Sequence, residues 1–149
     1  VFGVAHWLEH LLPPMLERQS GTLVGISSLA SHRGGPMSGP YSASKAALSV
    51  LLESIRLEVR RAGVVVTIVE PGFIRSEMTD KNKFPMPFMV ETEAAAAQIA
   101  DAAAEGQPMV RFPWPMAAAV RVLKSLPIGL YDRIAGRMLG GDEGSLKDS

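Results

Sequence analysis

The stretch VVVTIV at residues 64–69 constrains the fold more than any other part of the chain. All its side chains but Thr67 are β-branched aliphatics, so polar and apolar residues do not alternate along it. A strand with one wet face alternates; an unbroken apolar run belongs to a strand covered on both faces. That coverage is typical of parallel sheets, where helices carry the chain back across each face. Pro71-Gly72 closes the run.

The flanking sequence supplies such helices. Residues 1–19 place apolar side chains at 1, 4, 8, 11, 12, 15 and 16, a helical spacing with a kink expected at Pro13-Pro14. TLVGIS then reads as a second buried strand, and the Gly- and Ser-rich SLASHRGGPMSG as a loop. Gly39 can cap the next helix, with Pro40 at its first position. Leu48, Leu51, Leu52, Ile55 and Val59 give that helix one broad apolar face, Arg60 and Arg61 suit its last turn, and Gly63 suits its end. Beyond Pro71-Gly72, residues 73–89 read as an irregular excursion with one short helical turn. Residues 91–105 form an Ala-rich helix, MVRF one more strand, and the remainder two short amphipathic helices split near 127–129, ending in a polar tail. The order helix-strand-helix-strand-helix-strand predicts an α/β fold with a parallel sheet and a helical C-terminal tail. Ligands in such sheets bind beyond the C-terminal strand ends. Ser27 and Ser28 end one strand and Glu70-Pro71-Gly72 another, so both points fall on the functional edge.

Composition narrows the function classes. The 149 residues suit one domain, and 47% hydrophobic against 20% charged residues allow a real core. Fifteen basic residues balance fifteen acidic ones, so no nucleic-acid partner is expected. The absence of cysteine excludes disulfides and thiolate metal sites and fits a reducing, cytoplasmic setting. No apolar run has the length of a membrane-spanning helix. The chain opens at Val1 within a helical pattern, so further sequence is expected upstream.

The chemistry concentrates in YSASK. Tyr41 and Lys45 stand four apart, on one helical face at a helix start. An ammonium beside a phenol favours the phenolate, which suits proton transfer. The hydroxyl of Ser28 can stabilise negative charge growing on a substrate oxygen. This trio suits proton exchange with an alcohol or a carbonyl. None of its groups accepts a hydride, so redox chemistry requires a cofactor.

GISSLAS, then YSASK with Tyr41 thirteen positions after Ser28, then VEPGFIRSEM after the next strand, together resemble the short-chain dehydrogenase/reductase family. The resemblance implies the C-terminal part of a doubly wound parallel Rossmann sheet and an NAD(P)-dependent oxidoreductase interconverting an alcohol and a carbonyl. It gives Ser28 the substrate oxygen, Tyr41 the acid–base step, and Lys45 the tyrosine and the nicotinamide ribose. Pro71, Gly72 and the backbone of Ile74 would line the nicotinamide, with Ser76 in place of a usual threonine. NAD or NADP is the implied cofactor, but the family's glycine-rich phosphate loop is absent and its asparagine would fall just before Val1. Residues 1–112 therefore read as the catalytic half of such a domain, inactive alone, with 113–141 a helical extension and 142–149 a polar tail. The helices holding HWLEH and following Tyr41 are the family's usual oligomer interface, so a homodimer or homotetramer is expected.

Other readings compete at particular residues. A member of the same fold that has lost turnover would be a scaffold, against which the retained Ser28, Tyr41 and Lys45 argue. HWLEH matches the H-x-x-E-H pattern of a zinc peptidase helix, with His6 and His10 as ligands and Glu9 as base. Its third ligand must come from elsewhere, Glu53 being the candidate, and the helix lies in the layer covering the sheet, so no metal is expected. GISSL does not complete a G-x-S-x-G elbow, and nothing in the sequence positions His32 as a base. From Arg111 to Arg137 five basic residues face one acidic residue, Asp132. That tail suits packing over its own domain, or less readily contact with an anionic membrane surface. Trp114 and residues 84–89 are candidates to line a pocket for an apolar substrate.

Overall fold

The structure, a computed structural model, describes residues 1–76, 79 and 86–139. Three parallel strands form one sheet in the order β1 (Gly21–Ile26), β2 (Val64–Pro71), β3 (Met109–Phe112). Before, between and after them lie helices α1 (Phe2–Glu17), α2 (Gly39–Val59), α3 (Thr92–Ala104), α4 (Trp114–Ser125) and α5 (Ile128–Leu139).

The apolar run is the central strand, and its two faces meet different helices because successive side chains point to opposite sides. Val64, Val66 and Ile68 face α1 and α2, forming a core with Leu8, Leu48, Leu52, Ile55 and Val59. Val69 faces the other way and joins Ala95 of α3 and Phe112 of β3. Each such side chain contributes about 1.5–3 kcal/mol by leaving water. Thr67 is fully buried, and its hydroxyl lacks a hydrogen-bond partner. Burial on both faces is thus strong enough to carry one polar side chain at a cost.

Glycine sets how closely α2 approaches β1. Gly25 pairs in register with Ile68, and a Cβ there would come within 2.1 Å of Leu52 Cδ1. Gly63 ends the α2 segment in the left-handed region at φ 71°, as expected of a helix terminator.

Some local details differ from the sequence reading. α1 runs through Pro13 and Pro14 to Glu17. Both prolines are exposed, as are Glu9 and His10, whose carbonyls the prolines cannot serve, so water can take the missing donors' place. Residues Leu29–His32 are a short 3-10 helix rather than plain loop, capped by Ser28, whose Oγ accepts from Ala30 N at 3.1 Å. Ser38, not Gly39, takes the cap position of α2, and Arg60–Ala62 tighten into a 3-10 turn after Val59. The excursion after β2 is closed by a parallel bridge between Ile74 and Val90. Its expected helical turn and part of the 84–89 stretch lie outside the described residues.

Among the described residues no strand pairs with the outer edge of β1, and Val24 and Ile26 stay 37% and 43% exposed on the face they share with Thr67 and Val69. No helix among those residues is long and apolar enough to cross a membrane.

Candidate active site

The C-terminal ends of β1 and β2 and the first turn of α2 converge on one edge of the sheet. Ser27 extends the β1–β2 ladder by donating its N–H to Val69 O at 2.7 Å, which fixes the direction of the next residue, Ser28. Ser28 is buried; its Oγ accepts from Ala30 N and points at Pro71 O, 3.5 Å away. That donation is long enough for the hydroxyl to turn to a stronger acceptor.

Tyr41 and Lys45 occupy successive turns of α2. Tyr41 is half exposed, so its ring opens onto the surface at the strand ends. Lys45 Nζ lies 5.8 Å from the Tyr41 ring centroid and donates to Ile26 O, the last carbonyl of β1, at 3.0 Å. That bond ties the ammonium to the sheet and uses one of its three donors. The i,i+4 spacing in the sequence thus corresponds to a physical pair, held from the strand side.

The residues expected along a nicotinamide are set differently. Gly72 donates its N–H to Phe112 O at 2.7 Å, continuing the β2–β3 ladder past Pro71. A Cβ on Gly72 would come within 2.5 Å of Met116 Sδ, so the tail helix α4 comes close on that side. Ile74 is in the bridge with Val90. Ser76 forms a turn with Thr79, its N–H donating to Thr79 Oγ1 at 2.8 Å.

The sequence reading missed the most connected side chain at this edge. Glu70 is 1% exposed, and its carboxylate accepts from Arg111 Nε at 2.6 Å, His32 Nε2 at 2.8 Å, Ser49 Oγ at 2.9 Å and Ser31 Oγ at 3.3 Å. Burial pushes the Glu70 carboxyl up, but the bonds from Arg111, His32 and Ser49 and the Arg111 charge outweigh it. The carboxyl is therefore held below the usual carboxylate range. Because the ionised carboxylate only accepts, His32 must donate from Nε2, and its Nδ1 faces Lys124 Nζ at 3.5 Å. His32 thus does have a partner, but its nitrogens serve Glu70 and Lys124 and neither serves Ser28, so no serine–histidine pair forms. Ser49 Oγ is also 2.7 Å from Ser27 Oγ, which donates to Lys45 O at 2.9 Å. A continuous polar chain therefore links Arg111 on β3 to the backbone of Lys45. The signal for it was a charged residue ending an otherwise apolar strand.

The basic tail packs against the domain. Arg33 Nη1 donates to the carbonyls of Leu123, Lys124 and Leu126 at 2.7, 3.3 and 2.9 Å, and its guanidinium lies 3.8 Å over the Tyr131 ring. Tyr131 OH donates to Gly34 O at 2.6 Å. Trp114, a candidate pocket residue, is 78% exposed at the start of α4, and Phe88 is 58% exposed.

The HWLEH donors do cluster. Side-chain ligand atoms of His6, Glu9 and His10 lie within 4.8 Å of one another, all exposed, and Glu53 is not in the group. His10 Nδ1 bonds to His6 O at 2.9 Å within the same helix. All three sit on α1, an element that contributes nothing to the edge holding Ser28, Tyr41 and Lys45.

Comparison with known proteins agrees with this geometry. Residues 1–85 match the short chain dehydrogenase family, and the chain belongs to it. It is 46% identical over 138 residues to an uncharacterised oxidoreductase of Myxococcus xanthus (strain DK1622), covering 93% of this chain and 54% of that protein. It is 32% identical over 153 residues to the uncharacterised oxidoreductase YbbO of Escherichia coli (strain K12), covering 94% and 56%. The chain thus spans about half the length of the curated relatives it matches. In fold it is similar to a short chain dehydrogenase from Burkholderia cenocepacia J2315, solved in complex with NADP, with a TM-score of 0.75 at 23% identity over 89% of this chain and 54% of that one. The chain thus belongs to a family of enzymes with a Rossmann-type α/β fold, and its three-stranded parallel sheet is part of that fold.

Proposed function

We propose that this chain is the catalytic half of an NAD(P)-dependent oxidoreductase that interconverts an alcohol and a carbonyl, with Tyr41 as general acid–base. The observation that carries the reading is the pairing of Tyr41 with Lys45, whose ammonium is anchored to the end of β1. In carbonyl reduction the Tyr41 hydroxyl gives its proton to the substrate oxygen, and in alcohol oxidation it takes one back. Ser28 donates a hydrogen bond to that oxygen as negative charge grows on it. Lys45, tied to Ile26 O, holds its ammonium beside the Tyr41 ring.

The residues present fit a nicotinamide nucleotide. Two of the Lys45 donors remain for ribose hydroxyls, and Gly72, Ile74 and Ser76 follow β2 at the same edge, Pro71 being its last residue. NAD or NADP, when bound, supplies or accepts the hydride that no side chain here can carry. The NADP in the Burkholderia protein supports the nucleotide class. The phosphate-binding part of the site lies outside this chain, so the 149 residues alone do not turn over.

The same reading makes the protein a homodimer or homotetramer through α1 and α2. Phe2 and Trp7 on α1 and Val50 and Leu57 on α2 are more than half exposed, and a second copy would cover them.

The test is an assay of the full-length protein with aldehydes and ketones plus NADH or NADPH, followed by nicotinamide absorbance. Carbonyl-dependent consumption of the reduced nucleotide is expected. Stoichiometric nucleotide binding with no consumption across the panel would contradict the enzyme reading and favour a scaffold.

A further inference from the structure

Beside the docked tail lies a half-open cleft of about 530 Å³, lined by His32, Arg111, Ala117, Ala118, Arg121 and Lys124. Its walls come from three parts of the chain: the 3-10 helix after β1, strand β3, and α4. The size is that of a small-molecule site, far above what a single water needs. We infer that this cavity binds the carboxylate or phosphate group of a small molecule, a site distinct from the Tyr41–Lys45 pair.

The charge balance decides the sign of the ligand. Arg121 and Lys124 bring positive charge to the wall, Arg111 is paired with Glu70 behind it, and no acidic side chain among the described residues lines it. The nearest carboxylate, Glu70, is buried and saturated by its own donors. Lys124 meets only the Nδ1 of His32, at 3.5 Å, and has donors left over. Arg121 has no side-chain hydrogen bond or ion pair among the described residues, so its whole guanidinium fork is available.

Two further features favour an anion. The C-terminal carbonyls of α4 would repel one, but Arg33 caps those of Leu123, Lys124 and Leu126. Ala117 and Ala118 present methyl groups where larger side chains would fill the space, leaving room between the cations. A planar guanidinium matches carboxylate and phosphate oxygens bidentately, which fits a small anion better than an extended surface.

This inference does not depend on turnover. Inorganic pyrophosphate and citrate, as phosphate and carboxylate probes, are titrated calorimetrically into the full-length protein at low salt. Saturable binding of one equivalent of either is expected, and which of the two binds identifies the anion class. The exposed double variant Arg121→Gln/Lys124→Gln should weaken it by about tenfold or more, with an unchanged circular dichroism spectrum and Tm. No saturable binding of either probe, or equal affinity in the double variant, overturns the site. So does binding to anionic phosphatidylglycerol vesicles that neither probe displaces, since that would assign the same cations to a membrane surface.

Discussion

Glu70 joins more of the molecule than any other side chain at the candidate site. Its carboxylate receives hydrogen bonds from β3, α2 and the segment after β1, and through Ser49 and Ser27 it reaches the backbone of Lys45. Its carboxyl titrates below its value in the unfolded chain. The stabilisation is therefore present above the unfolded value, about 4.3, and is lost as pH falls through the lower folded value. Glu70→Gln should cost about 2 kcal/mol at pH 7, a figure kept modest because Arg111 reaches solvent. Urea midpoints measured at pH 7 and pH 3 check this: the gap between wild type and variant should close at the acid end. Tyr41 and Lys45 were legible in the sequence because an i,i+4 pair depends only on helix geometry. Glu70 was not, because its partners lie 21 to 41 residues away and meet it only once the sheet forms.

At the scale of elements, patterning located each strand and α-helix that positions the site, but not the 3-10 turn Leu29–His32 that Ser28 caps. Packing of the tail over its own domain was expected from its pattern; the contacts that hold it there were not. Arg33 sits in a Gly-rich segment that reads as solvated loop, yet it holds three carbonyls at the end of α4 and the ring of Tyr131 on α5. Charged capping of helix C-terminal carbonyls is favourable and local, so its loss should be local too. Arg33→Ala is expected to raise amide exchange across 114–139 by about tenfold or more, for a lost contribution of roughly 1.5–3 kcal/mol, while β2 amides keep their protection. Unchanged exchange in the tail would mean that α4 and α5 are held by apolar contact alone. The prolines of α1 show that two helix breakers need not end a helix: α1 continues through Pro13 and Pro14, and Glu9 and His10, whose carbonyls they leave unserved, are exposed.

For the whole molecule, the sheet is covered where α1, α2 and α3 pack, and open along the outer edge of β1, where Val24 and Ile26 are exposed. An unpaired parallel edge with apolar neighbours is a surface that more sheet would cover, which accords with relatives about twice as long as this chain. The candidate site stays on the described edge: a tyrosine open to the surface, a lysine tied to the strand beside it, and a serine with a weakly held hydroxyl. The central claim is that Tyr41 moves the proton while other residues hold the nucleotide. It is tested most directly by comparing full-length wild type with Tyr41→Phe in single-turnover hydride transfer, with nucleotide affinity measured in parallel. General acid–base groups contribute about 10²–10⁴-fold, so the variant should lose at least that much rate while its nucleotide affinity changes little. Transfer at the wild-type rate in Tyr41→Phe would contradict the account.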